Sequence, residues 1–377
     1  MFTLTLTTFF FYAISSSGKT EYDYFTRLGD SFLHGKYYLQ KSEPWLNELI
    51  PIKDNKFAVV YPPAPAIIAM PFIAIFGSNF EQQILSWIMG ALTAFLWGLI
   101  AYQKSKNKFT SLWVFLVVAF GNITWYMSSV GSVWYLGQIT AYFFITLSIY
   151  ESLNKKRLGL IGFYFGMAVL SRLQVVLAFP LIVYLNRDRL RHWKSFVIFI
   201  VEVSLFGVIY CLYNYLRFNS FFQTGYSLIP GVLDEPWYGG SIFKYSNIIS
   251  NLKVMFTSMP RYSAEFPYLT PSWGGLAIWI TSPIFIYVLP FKKTLQNIIT
   301  LLSIFLIAIV IFTHGGTGFT QFGYRYAVDF YPLIFLLIVE NLTNSKIKWH
   351  HIFLLTISVL INLWGVVCIN KFGWVGF

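Results

Sequence analysis

Charge is scarce in this sequence. Only 11% of its 377 residues are Asp, Glu, Lys or Arg, against about 25% in a soluble globular domain. Two cysteines, Cys211 and Cys368, both lie in apolar runs, so neither a disulfide framework nor a Cys-based metal site is implied. CxxC, HExxH, Walker and GxSxG sequences are all missing, which removes the common metalloprotease, NTPase and α/β-hydrolase readings. Internal repeats and low-complexity linkers are also missing, so residues 1–377 read as one domain. No cofactor and no metal are expected.

What is abundant is apolar and aromatic: 56% hydrophobic and 20% aromatic residues, with a mean hydropathy of +0.61. Apolar runs near the roughly 18–20 residues that cross a bilayer recur along the chain. The net charge of +12 does not point to nucleic acid in such a context, because membrane proteins concentrate Lys and Arg in cytoplasmic loops. The reading is an all-α integral membrane protein of about eleven transmembrane helices. The candidate spans are 1–14, 84–102, 111–128, 134–150, 158–170, 173–186, 195–216, 274–290, 297–313, 328–342 and 351–370. The first lacks the basic n-region of a signal peptide and reads as a membrane helix whose start is clipped.

Every second linker is basic: Lys104, Lys106 and Lys108; Lys155, Lys156 and Arg157; Arg187, Arg189, Arg191 and Lys194; Lys292 and Lys293; Lys346 and Lys348. This alternation assigns those linkers and the N-terminus to the cytoplasm and makes this a multi-pass protein of the cell membrane. The apolar stretch 63–77 contains Pro63, Pro65 and Pro71. It is expected as an interfacial or re-entrant, non-helical segment lining a cavity. Three long segments, 15–62, 217–273 and 314–327, then share the outer face. They hold or border ten of the fifteen acidic residues: Glu21, Asp23, Asp30, Glu43, Glu48, Asp54, Asp234, Glu235, Glu265 and Asp329.

Several clusters could carry chemistry. Glu21, Asp23 and Asp30 follow the first span, and a carboxylate there could take a proton from a hydroxyl; a solvated juxtamembrane helix explains them equally well. Arg172 interrupts an apolar run, where a charge is costly and faces a cavity or a partner, or snorkels to headgroups. The stretch from Arg217 through Tyr226, Arg261 and Glu265 is rich in Trp, Tyr, Arg and Glu, which suits a sugar site or an aromatic belt. Gln321, Tyr324, Arg325 and Asp329 lie where a Gly-rich loop enters a span. Arg325 and Asp329 are four apart and could pair on one helix face, or Arg325 could bind an anionic ligand.

The order of these motifs carries a resemblance. TEYDYFTRLGDSFLHG, YPPAPAIIAMPFIAIFG, SRL, RFNSFFQTGY and QFGYRYAVDFYP follow one another across about residues 1–345. In this the chain resembles the polytopic GT-C glycosyltransferases, in particular the family-39-like relatives of protein mannosyltransferases and aminoarabinose transferases. The resemblance implies a polyprenyl-phosphate sugar donor and inverting transfer to a lipid, glycan or protein acceptor on the outer face, among membrane lipids. It implies a catalytic carboxylate in the first outer loop, here one of Glu21, Asp23 and Asp30. Better-known members carry an adjacent Asp-Glu pair there, where this chain has Glu21-Tyr22-Asp23. They often have Lys before the Pro-Pro, where this chain has Tyr61. A departing lipid phosphate needs cationic stabilisation, which assigns Arg172 and Arg325, with Gln321 and Tyr324, to the donor phosphate, and Arg261 and Lys36 as further cations. Tyr61, Tyr226, Arg261, Glu265 and Asp329 are the expected substrate contacts. The rival readings are a lipid-linked glycan polymerase or ligase and a multi-pass lipid or solute transporter.

The topology has a direct check. Cysteines introduced at Asn47 and Tyr238 should react with an impermeant thiol reagent added outside, and cysteines at Lys106 and Lys155 should not. Labelling at Lys106 would overturn the assignment and make 63–77 a full crossing.

Overall fold

A computed structural model describes residues 1–376 as a mostly helical membrane protein. In chain order, α1 (Phe2–Ile14) and α2 (Tyr24–Leu33) precede the hairpin of β1 (Leu49–Ile52) and β2 (Lys56–Val59). Then come α3 (Ala64–Phe76), α4 (Gln83–Ser105), α5 (Lys108–Phe120), α6 (Thr124–Val130), α7 (Val133–Leu153), α8 (Leu158–Val169), α9 (Phe179–Leu185), α10 (Arg187–Leu190) and α11 (Trp193–Phe218). After α12 (Asn247–Thr257) and the two-residue strands β3 (Arg261–Tyr262) and β4 (Leu269–Thr270), the chain continues through α13 (Ile278–Thr281), α14 (Leu295–Thr313), α15 (Tyr331–Leu342) and α16 (Trp349–Val366). Both sheets are two-stranded and antiparallel.

Five of these helices, α4, α7, α11, α14 and α16 with its continuation to Lys371, are long and apolar enough to cross a bilayer. The bent pair α5–α6 makes a sixth if it is one span, and α1, α3, α8 and the 173–185 segment are shorter apolar helices. The expected span 111–128 is thus two helices set at 53°. The break sits at Asn122, whose Nδ2 donates to the carbonyls of Val117 (2.8 Å) and Val118 (3.2 Å), the second being the acceptor that a continuing helix would give to the Asn122 N–H. The expected span 274–290 is not one helix; it holds α13 and a 3₁₀ segment, Pro283–Val288, because Pro283 has no N–H to give to the ladder. The segment 63–77 departs from expectation the other way. Ala64–Phe76 is one unbroken α-helix with Pro65 in its first turn and Pro71 inside, so its backbone satisfies itself.

Burial separates a core from a rim. In α7 and α4, 78% and 67% of the apolar window is buried, against 17% in α11, 28% in α16 and 33% in α14. Val197, Ile198, Val201, Leu205 and Val208 of α11 are all exposed. An apolar surface of that extent is stable only when hydrocarbon covers it. In the core the helices approach through small residues. A Cβ at Gly90 of α4 would stand 2.3 Å from the Ser128 Oγ of α6.

The bundle has two unlike ends. At one, basic linkers meet: Lys104 pairs with Glu340 at 2.6 Å, Lys292 donates to the Glu340 carbonyl, and Lys156 pairs with Asp188 at 2.8 Å. At the other, the three long segments are knitted together. The Gln82 amide accepts from Phe25 N and donates to the carbonyls of Tyr22 and Gly131. The bridge Phe243–His314 joins the second segment to the third, and Leu276–Gly323 adds a further tie. Asn247 and Asn251 of α12 donate to the carbonyls of Phe312, Thr313 and His314, satisfying the otherwise orphaned C-terminal groups of α14.

Candidate functional site

Glu48 directly precedes β1, and β1 is held by β2 in the register Leu49–Val59. The turn of this hairpin contains Asp54 and Asn55, both with positive φ, a conformation these two residues tolerate better than most. The hairpin is anchored by Arg217, buried at the end of α11. Its guanidinium donates to the carbonyls of Val59 and Val60 and to Asn214 and lies over the Tyr213 ring at 3.8 Å. The backbone N–H of Glu48 donates to the Tyr24 hydroxyl (3.0 Å). The Trp134 indole N–H reaches both Glu48 carboxylate oxygens at 3.2 Å. One carboxylate is therefore fixed by three elements.

Two guanidinium groups share its surroundings. Arg172, at the tip between α8 and the 3₁₀ turn Leu173–Ala178, has an extended backbone and a side chain only 18% exposed. Its Nη2 is 3.1 Å from the Asp329 Oδ2, and the Gln174 amide donates to that same oxygen. Gln138 donates to Asp329 Oδ1 and to the Arg325 carbonyl. Arg325 lies over the rings of Tyr326 (4.9 Å) and Tyr135 (5.6 Å), and Arg172 is 5.9 Å from the same Tyr326 ring. The Arg325 Nε is buried without a hydrogen-bond partner. Among the described residues no carboxylate comes within 4.0 Å of Arg325.

The alternative in which Arg325 pairs with Asp329 is not what the structure shows. Residues Arg325–Phe330 form a 3₁₀ helix, with three residues per turn, so positions four apart point about a third of a turn away from each other. Asp329, its side chain fully buried, pairs with Arg172 instead.

Glu48 retains accessible surface, yet protein encloses it. Burial pushes its carboxyl up to about 7, against the opposing pull of the Trp134 hydrogen bond and the Arg325 charge; Glu235 adds a further push upward. His314, whose Nδ1 is 2.8 Å from the Gly316 carbonyl, is driven down to about 4 by burial and is neutral at pH 7. It packs against Tyr326 (5.3 Å) and Tyr238 (5.6 Å). Tyr226 and Tyr238 are shifted upward, chiefly by burial, and both feel the charge of Glu48. The result is a tyrosine-lined cluster holding the raised Glu48 carboxyl and one cation with no described carboxylate within 4.0 Å.

Of the residues singled out from the sequence, Arg172, Arg325, Asp329, Tyr226 and Tyr61 come together here. Tyr61 is buried with its ring edge-on to Tyr226 and Tyr24. Gln321 and Tyr324 are buried and occupied by the scaffold: Gln321 donates to the carbonyls of Gly274 and Thr317, and Tyr324 to Asn251. Asp23 pairs with Arg27 one helical turn on at 2.7 Å, and Asp30, with its side chain 38% exposed, lies 3.9 Å from His34. Glu21 is exposed, as are Arg261 and Glu265 around the β3–β4 hairpin. No hydrogen bond or ion pair ties Glu21, Asp23 or Asp30 to Arg172 or Arg325 among the described residues. Glu48 was not distinguished in the sequence from the other outer-segment acids. The Asp-Asn turn between two β-forming runs marks the hairpin in sequence, but not the acid that precedes it. No group of three or more His, Cys, Asp or Glu able to hold a metal occurs among the described residues. Compared with family models, curated proteins and solved structures, the chain matches none.

The raised Glu48 carboxyl has a signed consequence. It binds its proton in the folded protein up to about pH 7, but only to about its ordinary 4.5 when unfolded. Folding therefore loses stability as pH rises through that window. Glu48→Gln should raise the melting temperature more at pH 8 than at pH 5. An equal shift at both pH values would show that the carboxyl is not perturbed.

Proposed function

We propose that this chain is a GT-C-like membrane glycosyltransferase that takes a sugar from a polyprenyl-phosphate donor and passes it to an acceptor hydroxyl at the outer face. The observation that carries this reading is Arg325, a half-buried guanidinium whose buried Nε has no hydrogen-bond partner and which no described carboxylate approaches within 4.0 Å, in the same cluster as the Glu48 carboxylate, which burial raises to about 7. A buried unpaired charge costs several kcal/mol, and a planar guanidinium fork matches phosphate. The tyrosine faces around it suit the apolar face of a sugar ring. The gathering of basic linkers at the opposite end supports an outer placement.

Among the first-segment carboxylates, Glu48 is the base in this reading, in place of Glu21, Asp23 or Asp30. Its carboxylate takes the acceptor O–H proton as the acceptor oxygen bonds to the anomeric carbon. The bond from that carbon to the phosphate oxygen breaks, leaving the polyprenyl phosphate with one more negative charge. Arg325, with Arg172 beside it, offsets that charge. A single displacement inverts the anomeric configuration. A base poised near 7 suits this work at neutral pH. Tyr226, Tyr61 and Tyr238 contribute the walls. The eleven-span topology belongs to the same proposal, with α1, α8 and the 173–185 segment among the shorter crossings and α3 lying on the outer side.

The test is transfer by the purified, reconstituted chain from a panel of polyprenyl-phosphate sugars. Glu48→Gln should lower turnover about 10²-fold or more, on the scale of general-base loss, and Arg325→Lys should lose donor binding. Asp23→Asn should retain most activity. Wild-type turnover in Glu48→Gln would remove the base. Vesicle-to-vesicle or cross-bilayer movement of the lipid without any transfer would favour the transporter reading instead.

A further inference from the structure

A second basic feature lies apart from this cluster. Between the C-terminal half of α12 and the β3–β4 hairpin is an open pocket of about 280 Å³, lined by Lys253, Thr257, Ser258, Arg261 and Ser272 among others, with no carboxylate among its described lining residues. A water occupies about 30 Å³ in the liquid, so a phosphate-sized group fits with room around it. Neither Lys253 nor Arg261 has a carboxylate within 4.0 Å among the described residues. Both are exposed.

The depth of this pocket follows from the helix it rests on. Asn247 and Asn251 bond the last carbonyls of α14, and α14 is one of the helices apolar enough to cross the bilayer. Helix α12 therefore lies where a span ends, at the level of lipid headgroups. Its two faces differ. Asn251 and Met255 are buried against the protein. Ile249, Lys253 and Phe256, spaced four and three apart and hence on one face, point away and are exposed, Ile249 by 76%. Met259 and Tyr262, 55% and 89% exposed, extend that apolar rim beside Arg261. Apolar residues around two cations that no described carboxylate approaches, at a span's end, match a phospholipid: acyl chains on the rim, phosphate in the pocket.

We infer that this pocket binds the headgroup phosphate of an anionic phospholipid, distinct from the donor phosphate assigned to Arg325. Two cations favour a headgroup with net negative charge over a zwitterionic one, and the rim favours a lipid over free phosphate.

Native mass spectrometry of the full chain in detergent tests this with phosphatidylglycerol and phosphatidylcholine of matched chains, and with inorganic phosphate as competitor. Phosphatidylglycerol should bind about tenfold or more tightly than phosphatidylcholine. Lys253→Ala with Arg261→Ala should abolish that preference while the melting temperature stays unchanged. Lys253→Arg should retain it. Equal binding of the two lipids, wild-type preference in the double alanine variant, or displacement of phosphatidylglycerol by millimolar inorganic phosphate would each overturn the inference. Glu48→Gln and Arg325→Lys should leave the lipid preference intact, so the failure of one assignment does not carry the other.

Discussion

The rest of the site depends on how the protein accommodates the Arg325 charge. In the low dielectric at the end of an apolar bundle, a guanidinium is stable only with charge, hydrogen bonds or ring faces around it. The nearest carboxylate along the chain, Asp329, is held by Arg172 and Gln174. What remains for Arg325 is a 3.4 Å hydrogen bond from its Nη2 to the Tyr326 hydroxyl, the rings of Tyr135 and Tyr326 and the field of Glu48. Cation–π contacts supply about 0.5–2 kcal/mol each, less than an ion pair with good geometry. In the proposed function an anionic donor completes the cluster, and Gln138, bonded to both the Arg325 carbonyl and Asp329, holds the two arginine systems in fixed relation.

The scaffold delivers the carboxylate to this cation through a chain of buried polar contacts. Arg217 holds the carbonyls of Val59 and Val60, Val59 sets the register of Leu49, and Glu48 precedes Leu49. On the far side, the α12 asparagines close α14, and Tyr324 bonds Asn251. Residues that looked like ligands in the sequence, Gln321 and Tyr324, are the joints of this frame. Their polarity reflects the need to satisfy backbone groups in a segment without regular structure, which also explains why so many Asn and Gln collect at this end.

How much of this was legible in the sequence differs by feature. The membrane class was plain from composition, since no packing arrangement hides runs of apolar residues from a hydropathy count. The grouping of Arg172, Arg325 and Asp329 was legible as costly charges beside apolar runs. Their pairing was not, because it depends on Arg325–Phe330 being a 3₁₀ turn and on two segments 157 residues apart meeting. The helix over Ala64–Phe76 was missed for a local reason: one proline falls in its first turn and the other removes a single donor, neither of which ends an apolar helix packed in a bundle. Glu48 was hidden because its distinction is environmental. In sequence it is one of several acids in a polar segment, and only the Trp134 indole, brought from 86 residues away, marks it out.

The most direct measurement is a density map of the chain with a bound polyprenyl-phosphate sugar. The phosphate should lie against the Arg325 guanidinium on the side of its unpartnered Nε, with Arg172 still paired to Asp329 and the sugar's anomeric carbon facing the Glu48 carboxylate. A phosphate seated away from Arg325, or an anomeric carbon turned toward Asp23 or Asp30 with Glu48 remote, would contradict this account.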